Sequence, residues 1–461
     1  MRTKRYLLIL VLMMMVAGAA SAQRRPRAAD RHPNILLIIA DDLAAWHTGC
    51  YGNQEIRTPN LDRLAQNGIR MKNSFVVTPI CSPSRATLLT GRVPRQHGIY
   101  DYLVARPDKN PEQGQKDVPA SFSQEVMLSD LLAANGYECG YVGKWHLGNE
   151  PVPQHHFTYW RVWQRVGSGP YNDPEIGRDD GSILKERGYL PEVLTRHAAD
   201  FIRRRHAQPW FLVVSHFNPH TPYEGHPQRY LDLYRNVNFT TFGIEPKAPN
   251  ALREAEFMND PIPALRKAAA STTALDDQIP PLLEALERTG QRDHTLIVFV
   301  GDNGFLYGRH GAWSKGWAQN PIVMYEEVVR VPMIFNWPGV LRGGQTPEQF
   351  VSFTDVLPTL LEASATGARL PDRNLPGRSF WPMLNGRKQA WENTAYFNFR
   401  YADAIRDERY KLILRNGEGP DELFDFQRDP REKENRIDDP QLRAVKQRLR
   451  AKLEQWVRKY Q

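Results

Sequence analysis

Residues 34–40 read Asn34-Ile-Leu-Leu-Ile-Ile-Ala40, and Asp41-Asp42 follow at once. The run is continuously apolar instead of alternating, which is typical of a strand buried on both faces of a parallel sheet. Two later runs, at residues 210–215 and 295–301, have the same character. Because parallel sheets that are covered on both faces occur in α/β proteins, this stretch predicts the fold class.

Helical segments lie between the apolar runs. Thr58-Pro59 begins a helix that ends at Gly68, and residues 124–135 form another that ends at Gly136. A strand at residues 137–142 follows the second helix. This alternation predicts an α/β fold with a large, mostly parallel sheet sandwiched by helices.

The character of the chain changes after residues 371–385, which are rich in Pro, Gly and Arg. Short strands are predicted at residues 393–399, 410–414 and 422–426, and an amphipathic helix at 441–460. We therefore expect a catalytic α/β domain over residues 33–385 and a smaller C-terminal α+β domain over 386–461, with an antiparallel sheet packed against a helix. Residues 155–189 lack clear periodicity and are predicted to form a long loop near the site, which carries Trp160, Trp163 and Tyr171.

The first residues have the pattern of an export signal. Basic residues precede the apolar run 6–20, and Ala20-Ser21-Ala22 offers a cleavage site, so residues 1–22 are predicted to be a signal peptide and 23–32 a flexible basic arm. The apolar run is too short for a membrane span, and none is expected later. The protein is therefore expected to be exported, to the periplasm or the medium.

Charge and cysteine content exclude two further classes of protein, those that bind nucleic acid and those built on a disulfide framework. The formal charge of +8 is modest, and no stripe of Lys and Arg suggests a nucleic-acid partner. Three cysteines are too few for a disulfide framework. Cys50 and Cys139 remain a candidate pair in an oxidising compartment.

Polar residues follow four of the predicted strands. They are Asp41 and Asp42, Lys144 and His146, His216 and His220, and Asp302 and Asn303. An isolated Asp-Asp or Asp-Asn pair more often forms a turn or a helix cap. The shared position at carboxyl ends of strands favours one common site, because ligands of open α/β sheets bind there. Carboxylate and amide oxygens suit a hard cation, Ca²⁺ or Mg²⁺.

A second informative stretch reads Cys81-Ser-Pro-Ser-Arg-Ala-Thr-Leu-Leu-Thr-Gly91. Pro83 suits a first helical turn and Ser82 can cap the free amides, so a helix is predicted from about Cys81 to Gly91. Arg85 lies one turn after Cys81, and free N–H groups with a guanidinium invite an anion. The alternative is an ordinary capped helix that buries a cysteine.

The whole run resembles the signature of the type I, formylglycine-dependent sulfatases of the alkaline phosphatase superfamily. Residues 143–148, 218–223 and 308–315 are similar to further motifs of that family. The resemblance implies an alkaline-phosphatase-like fold, and oxidation of Cys81 to formylglycine by a formylglycine-generating or sulfatase-maturing enzyme. It also implies one Ca²⁺, with Mg²⁺ as the alternative. The residues assigned to the metal are Asp41, Asp42, Cys81, Asp302 and Asn303.

The resemblance further implies the catalytic roles. A hydrated formylglycine would attack sulfur and give a covalent sulfo-enzyme, and its second hydroxyl would then release sulfate. His146 would be the base for release, with help from Lys144, and Arg85 would hold the nucleophile. His220, preferred to His216 for its Pro-His-x-Pro spacing, and Lys315 would lie near the leaving oxygen, one of them as general acid. His310 is left unassigned.

The predicted function is that of an exported sulfatase acting on a sulfated carbohydrate. Aromatic residues at 155–189 and 313–317 suggest platforms for sugar rings and favour a carbohydrate over aryl or alkyl sulfates. One alternative is a phosphonate monoester or phosphodiester hydrolase of the same superfamily, since those esters carry the same single charge. Another is a non-catalytic protein that binds sulfated glycans with an unmodified Cys81.

Overall fold

The structure, a computed structural model, describes residues 32–104, 119–165, 168–370 and 374–461. The predicted signal peptide (1–22) and the basic arm up to residue 31 lie outside the described residues. Across these four ranges, no helix combines the length and the apolar character needed to cross a bilayer.

The strands are numbered in chain order. They are β1 (Asn34–Asp41), β2 (Ile69–Arg70), β3 (Asn73–Phe75), β4 (Glu138–Gly143), β5 (Phe157–Trp163), β6 (Glu175–Gly177), β7 (Ile183–Lys185), β8 (Trp210–Pro219), β9 (Thr295–Gly301), β10 (Met333–Asn336), β11 (Phe350–Ser352), β12 (Ala395–Phe399), β13 (Ala402–Arg406), β14 (Tyr410–Leu414) and β15 (Glu422–Asp425).

The α-helices are numbered in the same way. They are α1 (Pro59–Gln66), α2 (Cys81–Thr90), α3 (Pro94–His97), α4 (Leu128–Ala133), α5 (Leu190–Arg203), α6 (Gln228–Asp232), α7 (Pro261–Asp276), α8 (Ile279–Arg288), α9 (Glu326–Val329), α10 (Val356–Ala363), α11 (Trp381–Leu384) and α12 (Arg443–Lys459).

The main sheet has nine strands in the order β2-β10-β9-β1-β8-β4-β5-β6-β7. Its five central strands, from β9 to β5, are parallel, whereas the outer strands pair antiparallel. β1 lies between β8 and β9, with Ile35 in register with Phe211 and Leu296. Every residue of β1 is buried, which explains its continuous apolar sequence. The predicted parallel arrangement is confirmed for the centre of the sheet.

Helices cover both faces of this sheet. Side chains of β1 alternate between two hydrophobic clusters, since Ile35 and Leu37 belong to one and Leu36 and Ile38 to the other. The first cluster includes apolar residues of α2, α4 and α10, and the second includes those of α1, α5, α7 and α8. The predicted α/β sandwich is therefore confirmed.

The C-terminal region forms a four-stranded antiparallel sheet in the order β12-β13-β14-β15. Leu449 and Leu453 of α12 share a small hydrophobic cluster with Ile405 and Leu412 of this sheet. The prediction of a small antiparallel sheet with a helix is confirmed, but it omitted β13. That strand carries one large apolar residue, Ile405, so its sequence has a weak strand signal.

Two local predictions are wrong, and the candidate pair of cysteines is not bonded in the structure. Residues 155–189 are not one long loop, because β5, β6 and β7 lie there and β5 pairs in parallel with β4. β5 is buried along most of both faces, so it shows no polar and apolar alternation. The helix expected at 124–135 is shorter, because Asp130 accepts the N–H of Met127 and starts α4 at Leu128. Cys50 and Cys139 are both free thiols.

Candidate active site

The site is built around the first turn of α2. Cys81 is the first residue of the helix and is 2% exposed, and Gly91 ends the helix in the left-handed region with φ 70°. Both helix ends are as predicted. The expected cap by Ser82 is wrong, because its Oγ accepts the N–H of Leu103 at 3.0 Å instead and no side chain caps the helix. The Ser82 hydroxyl thus fixes the backbone at Leu103, which lies beside the site.

Arg85 lies one turn along the same helix and is fully buried. Its Nε and Nη2 lie 2.9 and 2.8 Å from Oδ2 of Asp302. Its Nη1 donates to the carbonyl of Lys144 at 2.9 Å and to Oγ of Ser215 at 2.6 Å. Burial opposes the guanidinium charge, but Asp302 and Asp41 outweigh it and raise the pKa of Arg85. Arg85 therefore joins the residues that directly follow β4 and β9 to Ser215 within β8, through charged hydrogen bonds.

Four side chains meet where a cation would sit. One ligand atom from each of Asp41, Asp42, Cys81 and His220 lies within 4.8 Å of the others. Asp42 adopts a left-handed conformation, with φ 64°, directly after β1. Such a conformation in a non-glycine residue costs on the order of 1–3 kcal/mol and occurs most often at functional sites.

The oxygen atoms at this point fit a hard cation. Within the four described ranges, Oδ1 of Asp41 and Oδ1 of Asn303 are buried without a hydrogen-bond partner. The amide nitrogen of Asn303 donates to Asp42 at 2.7 Å and to Gly304 at 3.0 Å, which leaves its oxygen free. Unpaired buried oxygens are costly, so a ligand that binds them is expected. Both residues are in the predicted metal set.

Asp302 differs from the other carboxylates. Its oxygens accept from Arg85 and, at 3.1 Å, from the N–H of Asp42. It does not belong to the four-residue group, whereas His220, predicted only as a catalytic residue, does. Burial and the negative charge of Asp41 raise the pKa of Asp302 to about 7. A nearby cation would relieve this repulsion.

Two buried lysines flank Cys81. Nζ of Lys315 lies 2.8 Å from Sγ of Cys81 and also pairs with Asp42, while Lys144 pairs with Asp41. Burial raises the pKa of the Cys81 thiol to about 12 despite both ammonium groups. An unmodified Cys81 is therefore a poor nucleophile at neutral pH, since the thiolate is the reactive form.

His146 is held as a neutral base. Its Nε2 faces the carbonyl of Leu103 at 3.0 Å, so this nitrogen donates and Nδ1 keeps its lone pair. Nδ1 is buried and has no partner among the residues that the structure describes. Burial, reinforced by the charge of Lys144, holds the pKa of His146 well below its usual value. Such a ring can take up a proton during a reaction.

The structure separates the two candidate histidines, because His216 lies within β8 and His220 directly follows it. Nε2 of His220 lies 3.7 Å from Oδ2 of Asp42, and its ring stacks on Phe217. Burial lowers the pKa of His220 to about 4. His216 is buried away from the charged groups, and neither ring nitrogen has a partner in the described parts of the chain. His310 stacks on Tyr325 and contacts Glu327.

The expected aromatic platforms are not present in the described loops. Trp160, Trp163, Tyr171 and Trp313 are at most 1% exposed, and Trp317 is 9% exposed. Trp160 and Trp163 pack in the core because residues 157–163 form a strand inside the sheet. Sequence reasoning also missed Ser215 and the backbone of Leu103. A serine within a strand and a peptide carbonyl give no distinctive sequence signal.

The site therefore combines cations, a neutral imidazole and unpaired oxygen atoms around one buried cysteine. Such an arrangement can bind a tetrahedral oxyanion and stabilise the charge that develops when an ester bond breaks. The model of the sulfatase family matches residues 33–366, and that of the C-terminal region of N-sulphoglucosamine sulphohydrolase matches residues 308–459.

Known proteins are similar to this chain over most of its length. An N-acetylglucosamine-6-O-sulfatase from Bacteroides thetaiotaomicron is 26% identical, over 93% of this chain and 87% of its own. A solved enzyme in complex with its substrate D-glucosamine-2-N,6-O-disulfate has a TM-score of 0.77 and 24% identity, over 93% of this chain and 98% of its own. The phosphonate monoester hydrolase of Agrobacterium radiobacter shares the fold, with a TM-score of 0.73 and 22% identity, over 93% of this chain and 96% of its own.

The matched family covers most of the chain and all the residues around Cys81. The chain belongs to the sulfatase family of the alkaline phosphatase superfamily, and it is a sulfuric ester hydrolase.

Proposed function

We propose that the protein hydrolyses the sulfate esters of a sulfated carbohydrate, with a formylglycine derived from Cys81 as the nucleophile. The observation that carries this proposal is the environment of Cys81. Its Sγ lies 2.8 Å from Nζ of Lys315 and close to the side chains of Asp41, Asp42 and His220. The 26% identical N-acetylglucosamine-6-O-sulfatase supports a carbohydrate as the substrate class.

The modified residue addresses both halves of the reaction. A hydrated formylglycine supplies one hydroxyl for attack on sulfur and a second whose deprotonation expels sulfate through a covalent sulfo-enzyme. A serine or an unmodified cysteine lacks that second hydroxyl. The raised pKa of the Cys81 thiol agrees with a role as precursor.

The other side chains bind, orient and move protons. Arg85 holds the nucleophile end of α2 against Asp302, and Lys144 neutralises Asp41 while it contributes positive charge for the sulfate. Nδ1 of His146 is the base that receives the proton in the release step. His220 and Lys315 both lie close to position 81, and one of them protonates the leaving oxygen.

We assign a divalent cation to Asp41, Asp42, Asp302, Asn303 and position 81. The unpaired oxygens of Asp41 and Asn303 support this assignment, and oxygen ligands favour Ca²⁺ or Mg²⁺. When bound, the cation supplies Lewis-acid activation of the nucleophile and charge neutralisation. His220 contacts the same group of side chains, and we assign it to the leaving group.

We also propose the biogenesis and division of the chain. The first 22 residues direct export to the periplasm or the medium, and a formylglycine-generating or sulfatase-maturing enzyme oxidises Cys81. The catalytic domain comprises residues 33–385 and the C-terminal domain 386–461. The switch from the nine-stranded to the four-stranded sheet supports that boundary.

The test is sulfate release by matured enzyme from a panel of sulfated sugars, with 4-nitrophenyl sulfate and an aryl phosphonate monoester alongside. We expect turnover of at least one sugar sulfate that exceeds turnover of the phosphonate. A strong preference for the phosphonate would replace the proposal with the activity of the phosphonate monoester hydrolase that shares this fold. Glycan binding without turnover, with a free thiol at position 81, would indicate a non-catalytic binding protein.

A further inference from the structure

Arg253 differs from the other cations near Cys81. Arg85, Lys144 and Lys315 each contact a carboxylate, at Asp302, Asp41 and Asp42 respectively. In the part of the chain that the structure describes, no carboxylate oxygen lies within 4.0 Å of the Arg253 guanidinium. The group is partly buried, and it lies near enough to Tyr102, Glu254 and Cys81 to interact with them electrostatically. Arg253 therefore offers a positive charge without a direct ion pair to a described carboxylate.

The backbone fixes Arg253 between two functional loops. The N–H of Leu252 donates to the carbonyl of Ala318 at 2.9 Å, three residues after Lys315. On the other side, Glu254 accepts a hydrogen bond of 2.8 Å from Thr221, which follows His220. Those two loops carry both candidates for the general acid. Arg253 thus borders the place where the leaving oxygen, and the sugar attached to it, would lie.

An aromatic ring orients the guanidinium. The centre of the Arg253 guanidinium lies 4.7 Å from the centroid of the Tyr102 ring. Tyr102 precedes Leu103, whose carbonyl contacts His146 and whose N–H contacts Ser82. Stacking on this anchored ring and a hydrogen-bonding interaction with the Tyr102 side chain orient the guanidinium. A guanidinium has five N–H donors, so N–H groups remain that can bind an oxyanion.

We propose that Arg253 binds a second anionic group on the sugar, next to the sulfate that is cleaved, and makes the enzyme selective for sulfated sugars that carry a further carboxylate or sulfate. This inference rests on the proposed function and narrows its substrate class. A guanidinium binds either oxyanion through paired, charged hydrogen bonds. Arg253 is a specificity residue for the leaving group, separate from the cations that surround the nucleophile.

The experiment compares matured wild-type enzyme with Arg253→Gln and Arg253→Lys on four esters. Two lack a second anion, 4-nitrophenyl sulfate and N-acetylglucosamine 6-sulfate. Two carry one, a disulfated glucosamine and a disaccharide that joins a uronate to the 6-sulfated sugar. Arg288→Gln, which removes the same charge from an exposed ion pair, is the matched control.

We expect Arg253→Gln to lower kcat/KM for the dianionic sugars about 10- to 100-fold, mainly through KM, since this is the usual worth of a charged hydrogen bond. The two other esters and Arg288→Gln should change by less than about threefold. Arg253→Lys should recover part of the loss, because it keeps the charge without the paired geometry. The two dianionic esters distinguish a carboxylate from a sulfate as the bound group.

An equal loss on all four esters would overturn the inference, because Arg253 would then contact the cleaved sulfate. Unchanged turnover of both dianionic sugars by Arg253→Gln would overturn it as well, as would a wild-type preference for the sugar without a second anion. Wild-type enzyme that hydrolyses none of the four esters would instead refute the proposed function.

Discussion

The ion pair between Arg85 and Asp302 gives a quantitative prediction. Arg85→Gln would leave the Asp302 carboxylate buried without the two nitrogens that now lie 2.8 and 2.9 Å from it. Removing one partner of a buried pair costs about 3–5 kcal/mol, because the remaining charge has no compensation. Arg288→Gln, in a pair on the surface, should cost at most about 1 kcal/mol.

The assay is urea unfolding followed by tryptophan fluorescence, with all variants unmodified at Cys81 and in EDTA. Asp302→Asn and the double variant complete a thermodynamic cycle. Once Asp302 is neutral, loss of Arg85 should cost about 2 kcal/mol less than in the wild-type background, since the two groups interact directly. Additive effects of the two substitutions on the free energy of unfolding would refute the reasoning, because the pair would then contribute no interaction energy.

Three further predictions concern stability and chemistry. Lys411→Met should destabilise the C-terminal sheet by about 3–5 kcal/mol, because the fully buried Lys411 ammonium contacts the carboxylates of Glu432 and Glu326 at 2.8 and 2.9 Å. Limited proteolysis with intact mass measurement would detect the loss of stability, and unchanged resistance to the protease would contradict the prediction. Burial raises the pKa of Asp276 to about 7, so the folded form binds more protons than the unfolded form and stability should fall as pH rises from about 4 to about 7. Asp276→Asn should flatten that slope in urea titrations at successive pH values, and an unchanged slope would exclude this group. One of the variants His220→Ala and Lys315→Ala removes the general acid, and its kcat on a sugar sulfate should fall about 10²- to 10⁴-fold. Its kcat on 4-nitrophenyl sulfate should fall far less, because that good leaving group needs no proton. Equal losses on both esters by both variants would contradict an acid role for either residue.

The centre of the fold could be predicted from the sequence because burial leaves a direct pattern. Residues 34–40 are apolar without interruption, and β1 is buried along its whole length. β5 is buried except at Thr158, and this residue and Arg161 interrupt its apolar sequence, so the strand was not predicted. The guanidinium of Arg161 lies 4.3 Å from the Tyr159 ring and pairs with Asp179, so tertiary contacts accommodate a charge that local sequence alone opposes.

The residues of the candidate site could be predicted from the sequence, but most of the contacts between them could not. The position of Asp41 and Asp302 at the ends of buried strands predicted that they would approach each other, and Arg85 contacts both. The contact between Ser215 and Arg85 depends on how β8 aligns with β4, which no spacing within one strand reveals. Arg253 could not be predicted as a site residue for the same reason. The pairing of residues 251–252 with residues 318–319, which are distant in sequence, brings it to the site.

The central claim is that Cys81 is the precursor of the nucleophile. Mass spectrometry of the peptide that spans Cys81, measured beside sulfate release from a sulfated sugar, tests it most directly. Protein coexpressed with a formylglycine-generating enzyme should carry formylglycine at position 81, and sulfate release should increase in proportion to the converted fraction. Sulfate release at full rate by protein in which every Cys81 is still a thiol would contradict the account.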